Sequence, residues 1–446
     1  MHRKLFYFFN FACLALFVAA GIVDNDREWK GYQKEYKRME IARIEKALST
    51  ETDEAKKASL DIALKAARSM PIRLRQAMSK DLIRYDRCTS CHLGIDPAVN
   101  ALQVNDYTEH PFKASVVPEH MSHPPVKFAC TSCHGGQGLA TTAEDAHGEI
   151  KHWEEPLLAQ PYLQGTCVRC HDNFEDLEGA QEAKRGKDLV AKLGCVGCHS
   201  FKGKGGEVSV DLGDIADKPV SRIDWSQTTA DLDRHQWNVK NWIELHLTRD
   251  PMSLVPGDPF GHSCEHLEKC EGVAPSGMPP FFEELSLEEA QAITAYMLGM
   301  TDRALPMQYK VPAVKKPVRY ADNIEHGKAM YTKFGCAGCH GEGGADGRRN
   351  FNALGDGQDK TNLHSIEEMA KGREPTLTKV VGTYSRDELR KKLVDGVSPT
   401  SIVKFNPEGP TPPLFMPAWK TKIKGKEMEV LLDYLLSIAE DSGEEW

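Results

Sequence analysis

One pattern recurs five times in this chain: Cys88-Thr-Ser-Cys91-His92, Cys130-Thr-Ser-Cys133-His134, Cys167-Val-Arg-Cys170-His171, Cys195-Val-Gly-Cys198-His199 and Cys336-Ala-Gly-Cys339-His340. Cys-x-x-Cys-His is the covalent haem-attachment pattern. The chemistry needs this spacing because two thiols bond to the two vinyl groups of one porphyrin, and the adjoining His ligates its iron. A zinc ribbon also uses paired Cys-x-x-Cys, but makes no demand for His at the next position. A thioredoxin-like redox pair needs a single Cys-x-x-Cys at the start of a helix in a βαβ pattern. Here every pair is followed by His, although His supplies only 17 of 446 residues. The expectation is five covalently bound haems c, with His92, His134, His171, His199 and His340 as the proximal iron ligands.

Thioether haem belongs in an exported compartment, and the N-terminus fits one. After Arg3 and Lys4, residues Leu5 to Val23 carry no charge; as a helix they span roughly 28 Å, close to the hydrocarbon thickness of a bilayer. Basic residues before the stretch, with Asp24 and Asp26 after it, orient the N-terminus to the cytoplasm and the body to the periplasmic side. The expectation is a single-pass protein of the bacterial inner membrane, the competing reading being a cleaved signal peptide ending near Val18-Ala19-Ala20. Cys13 lies in a poor lipid-attachment context and reads as an apolar helix residue. Residues 27–87 hold 16 Lys+Arg against 10 Asp+Glu in a helical pattern, broken near Pro71. This reads as a solvated stalk, or as a basic collar for lipid headgroups or a membrane partner. The whole chain has 56 Lys+Arg against 65 Asp+Glu, an acidic balance that argues against a general nucleic-acid binder.

The last two pentapeptides sit in an internal repeat. Arg185-Gly186-Lys187 aligns with His326-Gly327-Lys328, each glycine nine residues before its first Cys. Downstream, Ser276-Gly277-Met278-Pro279-Pro280-Phe281 aligns with Leu414-Phe415-Met416-Pro417-Ala418-Trp419, and an amphipathic helical pattern follows each. Met278 comes 79 residues after His199, and Met416 76 after His340. Both segments resemble small class I cytochromes c, in which a proline-flanked Met supplies the sixth iron ligand. The resemblance implies that Met278 and Met416 are axial ligands, which raises the potential over bis-His haem. Cys264 and Cys270, in an insertion before Met278, read as a local disulfide; His262 and His266 alongside leave a metal site as the alternative. His235 and His246 read as surface or core histidines. Gly341-Glu342-Gly343-Gly344 reads as a tight loop past the fifth haem rather than a phosphate cradle.

Residues 81–178 hold the first three pentapeptides, with spare histidines His110, His120, His123, His147 and His152 and one Met, Met121. Three haems in so short a span leave no room for a conventional core, so porphyrin itself must supply most of the buried apolar surface. The run from Glu109-His110-Pro111 through Ser122-His123-Pro124 and Cys130–His134 to Ala146-His147 resembles membrane-anchored multihaem cytochromes c that accompany quinol-oxidising cytochrome b-type complexes. The opening Arg27-Glu28-Trp29-Lys30-Gly31-Tyr32-Gln33 resembles the same group. That resemblance implies His110, His123 and His147 as distal ligands, His120 and His152 standing in reserve.

The expected fold is therefore mainly α: a transmembrane anchor (1–26), a helical stalk (27–80), a three-haem module with little regular structure (81–178), a cytochrome c domain with an insertion (179–304), a linker (305–319) and a second cytochrome c domain (320–446). The expected function is electron transfer without intrinsic catalysis. Electrons would pass from cytochrome b-type membrane subunits through five haems to a soluble periplasmic cytochrome or an oxidase. Competing classes are a freestanding membrane-tethered cytochrome, a subunit feeding a photosynthetic reaction centre, and a multihaem nitrite reductase- or peroxidase-type enzyme with one open iron.

Overall fold

The computed structural model describes residues 2–95, 123–150, 153–228, 232–258, 273–314, 317–350, 373–397 and 414–440. The spare residues His110, His120, Met121, His152, His262, Cys264, His266 and Cys270 lie outside this set. The chain divides into two compact units, Met1–Leu158 and Ala159–Trp446. Among the described residues it is mostly helical, with two short antiparallel strand pairs.

In the first unit, α1 (His2–Asn25) is the apolar segment. Residues Arg3–Asn25 are long and apolar enough to cross a membrane, and none of them is buried among the described residues. A signal sequence meets the same test. Asn10, the one amide in the run, turns its side chain back to the carbonyl of Phe6 at 2.8 Å, which satisfies that donor within the helix. The helix stops at Asp26-Arg27, and α2 (Glu28–Thr50) begins.

Helices α2 and α3 (Glu54–Ser69) form a hairpin. Asp53 caps α3 by accepting from the amides of Ala55 and Lys56 at 2.8 and 3.1 Å. The segment read as a solvated stalk is in part core. Trp29, Gln33, Tyr36 and Ile44 of α2 are buried, Gln33 completely. Gln33 Nε2 donates to the carbonyls of Arg73 and Ser90 at 2.8 and 3.0 Å, and its Oε1 accepts from the amide of Arg73 at 3.0 Å. A polar residue in the centre of the buried stripe hides that stripe from a hydrophobicity pattern, although its amide supplies what two strands of irregular backbone require. Strands β1 (Ala77–Ser79) and β2 (Arg84–Asp86) then deliver the chain to the first pentapeptide.

The second unit is built on two helix crossings. Helix α8 (Gln181–Lys192) packs on α12 (Leu287–Met297), and α13 (Asn323–Lys333) on α17 (Lys426–Ser437). Gly186 and Gly327, the repeated glycines, lie at these crossings. A Cβ on Gly186 would stand 2.0 Å from the carbonyl oxygen of Ala292, and one on Gly327 2.0 Å from that of Val430. Each backbone therefore touches its partner directly, which only glycine permits. Around the second crossing, Met330, Tyr331, Val430, Leu431, Leu432 and Leu435 form one buried cluster with Leu389, Leu393 and Trp419. A fully buried leucine such as Leu431 contributes about 1.5–3 kcal/mol. Helix α12 is started by a capping box, Ser286 and Glu289 exchanging hydrogen bonds at 3.0 and 3.2 Å.

Two sequence boundaries change. The third pentapeptide, grouped with the first two in the sequence, lies in the second unit. Its helix α7 (Gly165–Cys170) is laid on α12, where a Cβ on Gly165 would come 2.1 Å from the carbonyl of Ala295. The 305–319 stretch is not a plain linker along its whole length. Val311 donates to the carbonyl of Cys170 at 2.8 Å and accepts from the amide of Asp172 at 2.9 Å, and Tyr309 is buried. Both contacts join residues far apart in sequence, so no local composition signals them.

Candidate haem-attachment sites

All five pentapeptides fold alike. In each, the amide of the His donates to the carbonyl of the first Cys, four residues back, at 2.8, 3.0, 2.9, 2.9 and 3.0 Å in chain order. This single helical turn puts the two thiols, three residues apart, on one face, with the imidazole next to them. It is the geometry a porphyrin edge bearing two vinyl groups requires.

The histidine rings are aimed as well. His199 Nδ1 lies 2.8 Å from the carbonyl oxygen of Val210, and His340 Nδ1 lies 3.1 Å from that of Pro375. A proton held on Nδ1 by a backbone carbonyl leaves the Nε2 lone pair for a metal, as metal-binding histidines generally require. Burial lowers the pKa of His199 and of His92, which favours the neutral, ligating imidazole. Burial pushes the Cys195 and Cys336 thiols up to about 12, and Cys91 to about 11. The donor sets fit haem c.

The loop past the fourth site is tied by Asp211, whose carboxylate accepts from Ser200 Oγ at 2.7 Å and from the amides of Lys202, Gly203 and Gly213 at 3.0, 2.8 and 2.6 Å. These hydrogen bonds, that of Ser200 first, hold its carboxyl far below the usual range. Past the fifth site, Gly341, Gly343 and Gly344 all have positive φ, between 68° and 83°, and the loop turns tightly back.

Met278 and Met416 are both half-buried. The amide of Met278 lies 3.3 Å from Ser276 Oγ, with Pro279 and Pro280 buried beyond it. The carbonyl of Met416 accepts from Val397 at 2.9 Å beside the left-handed Gly396, and its side chain packs against the C-terminal cluster. In the first unit His147 ends α6 (Ala143–His147), capped by Thr142. It is near enough to His92 for its charge to lower that residue's pKa further. The His123 ring meets Phe128 edge-on at 4.8 Å. In the insertion of the second unit, His235 is exposed. His246 is half-buried, with Nδ1 2.9 Å from the carbonyl of Trp242.

Asp86 was not singled out by the sequence, yet it joins the first two sites. Buried, it accepts from the amides of Cys130 and Thr131 at 2.5 and 2.6 Å and from Thr131 Oγ1 at 2.8 Å. The Cys130 thiol donates to Cys88, whose pKa falls as that of Cys130 rises. Ligand atoms of Asp86, Cys88 and Cys130 lie within 4.8 Å of one another; both thiols belong to attachment pairs, so the cluster is part of these sites. Val210, Pro375 and Asp86 serve through backbone positions or distant partners, which a sequence motif does not register.

Residues 324–439 match the family model Cytochrome c. The matched span contains the fifth pentapeptide, Met416 and the α13–α17 crossing. No curated protein and no solved structure matches the chain. Fold and site together define a cytochrome c domain at residues 324–439, and such a domain implies covalently bound haem c.

Proposed function

We propose that this chain is a membrane-anchored cytochrome c with five haems. In this reading it is the subunit that carries electrons from a quinol-oxidising cytochrome b-type partner to a soluble periplasmic cytochrome or an oxidase. The observation that carries the count of five is the identical His-to-Cys turn at every pentapeptide. Bound haem supplies a one-electron Fe(II)/Fe(III) couple, and the chain does the rest. Cys88, Cys91, Cys130, Cys133, Cys167, Cys170, Cys195, Cys198, Cys336 and Cys339 fix the porphyrins. His92, His134, His171, His199 and His340 donate through Nε2. His147, close enough to His92 for its charge to act on that ring, would serve as a distal ligand in the first unit, with His110 and His123 for the neighbouring irons. Met278 and Met416 offer thioethers at the fourth and fifth sites, raising their potentials over the histidine-ligated ones. Electrons then enter near the anchor, in the inner membrane, and leave from the C-terminal domain on the periplasmic side.

A pyridine haemochrome assay on detergent-purified protein should give five haems c per chain, with b-type haem copurifying. Fewer than five, or a chain extracted alone without b-type haem, would overturn the count or the assembly respectively. Met416→His should remove one far-red iron–thioether band and lower one high potential, leaving the haem count unchanged.

A further inference from the structure

The last two attachment turns, α9 (Cys195–Cys198) and α14 (Ala337–His340), are packed directly on each other. Four glycines make the contact, and they do so reciprocally. A Cβ on Gly194 would lie 2.0 Å from the amide nitrogen of Gly338, and one on Gly338 2.4 Å from the carbonyl of Gly194. A Cβ on Gly197 would lie 2.2 Å from the carbonyl of Gly335, and one on Gly335 2.1 Å from the amide of Gly197. Gly194 and Gly335 immediately precede their first Cys; Gly197 and Gly338 immediately precede their second. The two turns are thus related by a local two-fold, with the self-complementarity of an isologous contact.

That register brings the second thiols together. Cys198 and Cys339 lie within side-chain reach of each other. Around them the two halves are locked by further pairs. Arg349 makes a bidentate bond to Asp250 at 2.8 and 2.6 Å. Arg348 is paired with Glu284 and lies over the ring of Phe281 at 4.6 Å. Lys422 meets Glu207 and Lys192 meets Glu342, each at 3.2 Å. Ion pairs as buried as those of Arg348 and Arg349 hold a fixed geometry better than exposed ones.

Resting on the five-haem reading, we propose that the Gly194–Gly197/Gly335–Gly338 contact, with Cys198 and Cys339 at its centre, is a built electron junction between the fourth and fifth haem sites. Each of these sulfurs would hold the rim of one porphyrin, so the close approach of the two turns would bring the two bound groups near each other. With haem held by His199 and by His340, one electron would cross the junction, one iron being oxidised as the other is reduced. No bond is made or broken and no proton moves. Tunnelling falls steeply with rim-to-rim distance, so the missing Cβ atoms are what make the passage short. Glycine is needed here for proximity between cofactors, a role separate from the helix crossings at Gly186 and Gly327.

The test compares full-length native protein with Gly197→Ala and Gly335→Ala, and with Gly31→Ala, whose Cβ meets nothing within 4 Å, as control. Intramolecular electron exchange after a reducing pulse, and EPR of the ferric thioether-ligated irons, are the readouts. Native protein and control should show fast exchange and spin-coupled, broadened signals. The two junction variants should keep five haems and both far-red bands, slow the exchange by an order of magnitude and give sharper, uncoupled signals. An unchanged exchange rate in haem-replete variants overturns the junction. Should the variants lose haem, native protein decides alone: uncoupled, full-intensity signals overturn the junction and coupled signals support it. A native haemochrome count lacking the Cys195–His199 haem overturns the functional reading itself, and the count distinguishes that failure from the failure of the junction.

Discussion

The chain joins two pairs of attachment turns thiol to thiol, and it does so by opposite means. In the first unit Cys88 and Cys130 are held together by a buried carboxylate, Asp86, which takes up both amides at the start of the second turn. In the second unit Cys198 and Cys339 meet because four glycines let two backbones touch. The difference follows from what surrounds each pair. The C-terminal halves own helix crossings and a leucine-rich core, so shape alone can fix the approach. Among its described residues the first unit has short strands, one-turn helices and few buried apolar residues around its turns, and directional hydrogen bonds from Asp86 and Gln33 fix the geometry there. Where a core is thin, polar clamps carry the specificity; where it is dense, small residues do.

Breaking the clamp should have the largest effect. Asp86→Ala leaves two buried amides and a hydroxyl without acceptors, each worth about 1–3 kcal/mol. On the proposed count of five, the expected outcome is loss of the haems at Cys88–His92 and Cys130–His134 alone, so a haemochrome count lower by two than that of the native protein; an unchanged count would show that packing, not Asp86, holds that pair. Breaking the helix crossing comes next. Gly327→Ala drives a methyl into the carbonyl of Val430, and overpacking of this kind costs about 1–3 kcal/mol. It should lower the thermal midpoint of the C-terminal domain, followed by circular dichroism, while the haem count at room temperature stays that of the native protein. An unshifted midpoint would mean the two helices separate freely and that the dense-core side of the comparison is wrong.

The smallest effect sharpens the contrast between buried and exposed polar groups. Arg390 and then Arg386 hold the Glu429 carboxyl at about 2, with Arg386 also bonded to Asp433 at 2.7 Å. A carboxyl depressed in the folded state contributes stability above its unfolded pKa and loses it as pH falls towards the folded one. The affected window therefore runs from roughly pH 4.5 down to about 2. Glu429→Gln should flatten the acid limb of a denaturation curve in that window and leave pH 7 stability almost unchanged, because the network is exposed. A large loss at pH 7 would place this network beside Asp86 as a true clamp.

Much of the chemistry was legible in the residues. The pentapeptides carry their own geometry, since thiol spacing and the following His are local. Gly186 and Gly327 announce their crossings by a shared distance to the first Cys, and the uncharged run from Leu5 to Val23 is long enough to read by length alone. Met416 lies with the fifth pentapeptide inside the matched cytochrome c span. The burial of Gln33 was not legible, because a buried amide looks like a solvated one in any polarity pattern.

What only the tertiary structure decided is which sites touch. The partners of the third turn are Ala295 and Val311, more than a hundred residues downstream. The carbonyls that orient His199 and His340 come from Val210 and Pro375, and a carbonyl has no residue-type signature. The meeting of Cys198 with Cys339 depends on two turns of the second unit closing over glycines that, read singly, look like ordinary turn residues. Local sequence dictates the chemistry a turn can hold, whereas distances between turns are set by long-range backbone contacts that any side chain beyond hydrogen would prevent.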